Sequence, residues 1–215
     1  MIPYGTFTFF LIAFIVLIPV IILGFLGKRS YIYNGISTAI MIVIIFASDK
    51  HNLLGQKYLS AQLFCFIIYV IWQVALIMYY YQSRQKKNTF TKFVTIMVLS
   101  ILPLAIVKIL QSSWLGGHQI HFHESKLIEF VGFLGISYVT FKSVQLIMEI
   151  RDGSIKEIKV GKLIQFISFF PTISSGPIDR YKRFVKDDKK VPSGAEYREL
   201  VVKAIHMIML GFLDR

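Results

Sequence analysis

An all-α, polytopic membrane protein is the fold class that the sequence predicts, and three observations predict it. Of its 215 residues, 55% are hydrophobic and only 17% charged, where a soluble domain would carry about a quarter charged residues. The apolar excess (mean hydropathy +0.61) is gathered into long uncharged runs rather than alternating or heptad stripes. The 24 Lys and Arg against 12 Asp and Glu, a net +12, fall mostly between the runs, where basic loops meet anionic lipid. Together these exclude a soluble enzyme, a disordered chain and a nucleic-acid module; no basic stretch is interleaved with stacking aromatics as nucleic-acid binding requires. Cys65 is the single cysteine and lies inside an apolar run, so neither an intrachain disulfide nor a Cys/His zinc site is expected.

The first run, Thr6–Gly27, holds 22 residues without a charge, about 33 Å of helix. That matches one bilayer crossing, is too long for a signal-peptide core, and tolerates Pro19. Runs at Tyr31–Ser48, Leu59–Tyr81, Phe93–Leu115 and Leu127–Ile150 predict four more spans. Lys162–Ile178 is apolar but broken by Pro171, Gly176 and Pro177, and Leu200–Leu213 is shorter. If Lys162–Ile178 dips in and returns, one face receives seventeen loop Lys and Arg and the other three; if it crosses, the division is ten against ten. The positive-inside rule therefore predicts about five transmembrane helices plus a re-entrant broken helix, with the N-terminus outside. Broken backbone at membrane depth needs surrounding protein or a water-filled cavity, so a cavity is expected near Pro171–Pro177. Lys186–Lys190 (KDDKK) reads as a solvated loop, Tyr79-Tyr80-Tyr81 as an interfacial belt, and residues 1–215 as one membrane domain without a soluble part.

Lys108, Glu129, Lys142 and Glu149 are charges inside predicted spans. A central charge costs roughly 2.5–3.5 kcal/mol to insert, so each needs a partner, a cavity or an end position. Lys142 is mid-span, with Gln145 three residues on and Tyr138 four back on the same helical face. It is either a structural buried pair or part of a polar tunnel. His118, His121 and His123 have no carboxylate pair to complete a metal site and read as an outer loop; His206, in an apolar run, reads as a packing histidine. Ser174-Ser175-Gly176 lacks the G-x-S-x-G frame of a nucleophile elbow.

Two stretches stand apart: Gly135–Gly153 (GISYVTFKSVQLIMEIRDG) and Phe169–Phe184 (FFPTISSGPIDRYKRF). Together they resemble the membrane-bound O-acyltransferase family, in which a GIS-aromatic-x-T-F-x-x-x-Q-like helix precedes a broken FFP-x(5)-GPI-x-R segment. The first motif is carried by Gly135, Ile136, Ser137, Tyr138, Thr140, Phe141 and Gln145, the second by Phe169, Phe170, Pro171, Gly176, Pro177, Ile178 and Arg180. Within the family, EIRDG and SSGPIDRYKRF are most like the branch that D-alanylates teichoic acid, with alginate O-acetyltransferases next.

The resemblance implies an enzyme of the bacterial cell membrane that takes an acyl group from a cytoplasmic thioester and passes it through a tunnel to a hydroxyl outside. For the D-alanyl branch it implies D-alanine on the phosphopantetheine of an acidic carrier protein, lipoteichoic acid as acceptor, and no bound cofactor or metal. The basic loops could steer such a carrier, although setting topology also explains them. The candidate tunnel residues are Tyr138, Thr140, Lys142, Gln145, Ser174, Ser175 and Arg180. The family's catalytic histidine follows a tryptophan in a later helix, whereas Trp72 and Trp114 here adjoin no histidine and His206 stands between Ile205 and Met207. No catalytic residue is therefore carried over, and the chain is expected to be the N-terminal portion of a longer enzyme. The alternatives are a polysaccharide O-acetyltransferase of the same family, a transporter, which would predict inverted repeats that are not seen, and a non-catalytic scaffold.

Overall fold

The computed structural model describes residues 7–28, 31–47, 59–86, 89–111, 135–173, 179–189 and 192–213. Regular structure there is helical throughout: α1 (Phe7–Phe25), α2 (Tyr31–Ala47), α3 (Leu59–Lys86), α4 (Phe90–Gln111), α5 (Ile136–Arg151), α6 (Val160–Ser168), a 3-10 turn at Phe170–Thr172, α7 (Tyr181–Lys189) and α8 (Gly194–Leu213). Within α3 and α4, Gln62–Lys86 and Phe90–Ile109 are long and apolar enough to cross a membrane; Leu11–Phe25 and Ile32–Phe46 are shorter apolar helices. The 28 residues of α3 reach about 42 Å, more than the roughly 30 Å of a bilayer's hydrocarbon core.

Two compact units divide the chain. In the first (1–41 and 186–215), α1 packs on α8 and on the start of α2. The Tyr197 ring lies directly against Gly24, where no side chain would fit, and meets Phe25 edge-on at 5.1 Å. A reciprocal capping box opens α8: the Ser193 N–H donates to the Glu196 carboxylate (3.2 Å) and the Glu196 N–H to the Ser193 hydroxyl (3.3 Å).

In the second unit (42–185), α5 packs on α3, α4 and α6. Its core is Ile77, Val139, Leu146, Ile147, Ile150, Leu163 and Ile167, each at most 1% exposed. The prolines inside α1 and α4 share one solution. Proline lacks an N–H and pushes the preceding turn open, freeing the carbonyls three and four residues back. For Pro103, the Leu99 carbonyl accepts the Trp72 indole N–H (3.4 Å) and the Ser100 carbonyl accepts the Gln73 amide (3.0 Å). For Pro19, the Val16 carbonyl accepts the Ser37 hydroxyl (3.1 Å). Neighbouring helices thus repair what proline removes, as an apolar environment demands.

Three expectations change. The fifth run does not form one helix from Leu127: α5 starts at Ile136, after Gly135 in left-handed backbone at φ 91°. A left-handed residue interrupts a right-handed helix, and residues 127–134 lie outside those described. KDDKK is not simply a loop, because α7 runs to Lys189. Its apolar side explains why: Tyr181 packs edge-on against Phe166 (5.5 Å), and Phe184 against Phe166 (5.5 Å) and Phe169 (5.6 Å). Of the three tyrosines closing α3, only Tyr79 is exposed. Tyr80 is buried against Phe93, and the Tyr81 hydroxyl donates to the Lys156 carbonyl (2.9 Å).

Candidate functional site

The two motif stretches, separated by fifteen residues in sequence, lie along one another. They come close at Gly135, where a Cβ would sit 2.5 Å from the Ile173 carbonyl oxygen. Only glycine satisfies both that approach and the positive φ. From there α5 presents two polar faces, each with a different partner.

The first face meets α3 and α4. Gln73 donates to the Tyr69 hydroxyl (2.8 Å) and the Ser100 carbonyl, while the Ser100 hydroxyl donates back to the Gln73 amide oxygen (2.7 Å). Thr140 donates to the Ile136 carbonyl (2.7 Å), which leaves the Tyr69 hydroxyl to donate to Thr140 (2.6 Å). Every proton in this chain has one acceptor. Gln73, Ser100 and Thr140 are fully buried, so the network fixes the rotation of three helices against one another.

The second face carries Lys142, Gln145 and Glu149 and meets the broken segment. Lys142 is 1% exposed. Its ammonium donates to the Phe166 carbonyl (3.2 Å) and the Thr172 hydroxyl (2.6 Å), and sits 5.6 Å from the centre of the Phe166 ring. Thr172 in turn donates to the Phe169 carbonyl (3.2 Å). Phe166 lies in the last turn of α6, whose terminal carbonyls have no helical partner and carry the negative end of the helix dipole. A cation placed there caps the helix. Among the described residues Lys142 has no ion-paired carboxylate; its place is set by the end of α6 instead.

Farther along this face the Gln145 side chain hydrogen bonds to Glu149, whose carboxylate lies in the field of Arg180 and Lys182, with Asp179 opposing. Gln145 Oε1, Glu149 Oε2 and Gln165 Oε1 are buried and accept no hydrogen bond among the described residues. The described residues on either side of the broken segment also meet. Tyr181, just after it, hydrogen bonds to the Lys159 backbone at the start of α6, and burial holds its phenol pKa above the ordinary value.

The predicted residues therefore separate. Thr140 and Lys142 are buried and spent on internal hydrogen bonds; Tyr138 and Gln145 are half-buried; Arg180 is exposed. Ser174 and Ser175 lie outside the described residues, as do His118, His121 and His123. His206 is exposed on α8, not packed as the sequence suggests, and lines a shallow groove of about 650 Å³ with Arg198, Glu199 and Lys203. Among the described residues no three His, Cys, Asp or Glu side chains are grouped to hold a metal ion. Sequence reasoning looked for charges and so missed Tyr69, Gln73 and Ser100. The available signal was an uncharged polar residue inside each of two neighbouring apolar runs, one of them three residues before a proline.

No family model matches the chain. Three curated relatives do, each named teichoic acid D-alanyltransferase. The protein of Bacillus subtilis (strain 168) is 46% identical over 214 residues, 99% of this chain and 50% of the relative. That of Lacticaseibacillus rhamnosus is 42% identical over 98% of this chain and 48% of the relative. That of Streptococcus thermophilus is 33% identical over 98% and 46%. The likeness to the D-alanylating branch, expected from the two motif stretches, is borne out by these relatives, and the chain spans about half the length of each.

Proposed function

From that likeness we propose that the chain is the N-terminal portion of a bacterial membrane O-acyltransferase that moves D-alanine from a cytoplasmic carrier-protein thioester to a hydroxyl of teichoic acid outside. The observation that carries this reading is the similarity, over nearly the whole chain, to relatives named for that transfer. In the complete enzyme the acceptor oxygen bonds to the D-alanyl carbonyl carbon, the carbon–sulfur bond breaks, and the hydroxyl proton ends on the departing thiol. This portion is assigned no catalytic residue. It supplies wall and floor.

In this reading α6 and the 3-10 turn re-enter from the cytoplasmic face, which the return of Tyr181 to Lys159 supports. The nine residues of α6 span about 14 Å, less than half a hydrocarbon core. Lys142 and Thr140 hold the wall; Tyr138, Gln145, Ser174, Ser175 and Arg180 line the passage. The buried acceptors on Gln145, Gln165 and Glu149 favour D-alanyl over acetyl. An aminoacyl group brings an ammonium with three N–H donors, and an acetyl group brings none.

The test uses the full-length enzyme in proteoliposomes, with carrier protein charged with labelled D-alanine and with lipoteichoic acid as acceptor. Label is expected in a base-labile ester on the teichoic acid, with turnover reduced by Gln145→Ala and Arg180→Ala at normal expression. Label that stays on the carrier refutes the transfer. Unchanged turnover in both variants refutes the lining role, and an acetyl-loaded carrier working equally well refutes the acyl assignment.

A further inference from the structure

At the end of the second unit where α3 finishes, α4 begins and α5 finishes, Arg84 and Arg151 meet, and Lys92 is held on Ser83, the neighbour of Arg84 in sequence. The Arg151 guanidinium lies over the Phe93 ring at 4.4 Å and the Phe90 ring at 5.4 Å. The two rings hold the charge by cation–π contact, which leaves its N–H donors for a ligand. Arg84 uses its Nε to reach the Arg151 carbonyl (3.2 Å) and lays its terminal nitrogens across Gly153, where a Cβ would lie 3.0 Å away. Lys92 donates to Ser83 (3.0 Å). Asp152 is the nearby acid, yet none of the three cations is ion-paired among the described residues.

A second observation points at the same place from inside the protein. Tyr80 is 2% exposed, its hydroxyl is buried without a hydrogen-bond partner among the described residues, and the charges of Arg84, Arg151 and Asp152 act on that hydroxyl. A buried hydroxyl left unpaired is costly unless something meets it. Outside the cluster, Phe90, Val94, Val98 and Leu102 are all exposed along one ridge of α4, at four-residue spacing. An apolar ridge leading away from two open guanidinium groups has the chemistry of a headgroup with its acyl chains.

We propose that this cluster is a binding site for an anionic phospholipid. Its phosphate lies between Arg84 and Arg151, within reach of Lys92 and the Tyr80 hydroxyl, and an acyl chain follows Val94, Val98 and Leu102. Unpaired guanidinium groups recognise the phosphate, and the apolar ridge favours a lipid over free phosphate. The site is separate from the broken segment and does not depend on the acyl chemistry proposed above.

The experiment is native mass spectrometry of the full-length protein titrated with phosphatidylglycerol, with phosphatidylcholine of the same chains, and with inorganic phosphate. The site predicts preferential binding of phosphatidylglycerol, weakened roughly fivefold by each of Arg84→Gln and Arg151→Gln. Tyr80→Phe, which removes only the hydroxyl and keeps the ring packing on Phe93, is expected to weaken it a few-fold. Lys203→Gln, an equal loss of charge on α8, is expected to leave it unchanged. Equal binding of the two lipids, equal loss in Lys203→Gln, or full affinity in Arg84→Gln and Tyr80→Phe would each overturn the proposal. Inorganic phosphate that displaces phosphatidylglycerol at matched concentration, or release of the lipid by an acidic carrier protein at matched concentration, would assign the cluster to another ligand and overturn the lipid site.

Discussion

Replacing Lys142 by methionine keeps the buried stem and deletes the ammonium. Two effects then compete. Two hydrogen bonds from a charged donor are lost, each contributing about 1.5–3 kcal/mol, for a total of roughly 3–6 kcal/mol. The Thr172 side is the cheaper loss, because its hydroxyl still donates to the Phe169 carbonyl; the Phe166 carbonyl is left buried with its side-chain donor gone. Against this, the variant no longer buries a charge, which on the membrane-insertion scale recovers about 2.5–3.5 kcal/mol. The balance is a destabilisation of about 0.5–2.5 kcal/mol, or roughly 1–10 °C in Tm for a protein of this size. The loss concentrates at the end of α6. Thermal unfolding of the purified protein in detergent gives the first number, and hydrogen exchange across Val160–Ile173 gives the second. A double cycle with Thr172→Val should show a coupling of about 1 kcal/mol or more. If Lys142→Met left Tm unchanged or raised it, and exchange over α6 did not quicken, the ammonium would not be the cap of that helix.

Other expectations follow from the same physics. Gln73→Leu removes the acceptor of the Ser100 hydroxyl and the side-chain donor to the Ser100 carbonyl, leaves Tyr69 its Thr140 bond, and should cost about 2–4 kcal/mol by thermal unfolding. Gly135→Ala forces a Cβ onto the Ile173 carbonyl at a positive φ; a loss above about 2 kcal/mol is expected, and one below 0.5 kcal/mol would contradict the close approach. Ser193→Ala removes half of the capping box on α8 and should cost about 1 kcal/mol, with faster hydrogen exchange over Gly194–Tyr197.

Much of the helical layout was legible because uncharged runs leave little choice: an apolar segment must bond its own backbone, and a helix does so locally. α1 and α2 therefore fall close to the runs that predict them. The start of α5 was less legible, since Gly135 interrupts a run that hydropathy reads as continuous, and only the Ile173 carbonyl shows why it must. α7 was hidden by its charges. Its apolar residues Tyr181, Phe184 and Val185 keep helical spacing, but KDDKK masks a short amphipathic pattern whose apolar side is defined by Phe166 and Phe169 in another element.

The candidate site divides in the same way. By itself the sequence determined that Lys142 needs compensation at membrane depth, that Lys162–Ile178 is broken, and that the two motif stretches belong together. It could not say what compensates Lys142. A buried pair and a polar tunnel were both open, and the tertiary structure supplies the carboxyl end of a short helix. That answer needs α5 and α6 side by side, because a helix terminus carries its partial charge only where another element approaches it. The same holds for Arg151, whose guanidinium is basic in any context but becomes a fixed charge only when Phe90 and Phe93 of α4 hold it by cation–π contact. Composition and periodicity fix which residues are apolar, charged or broken; packing decides which polar groups meet.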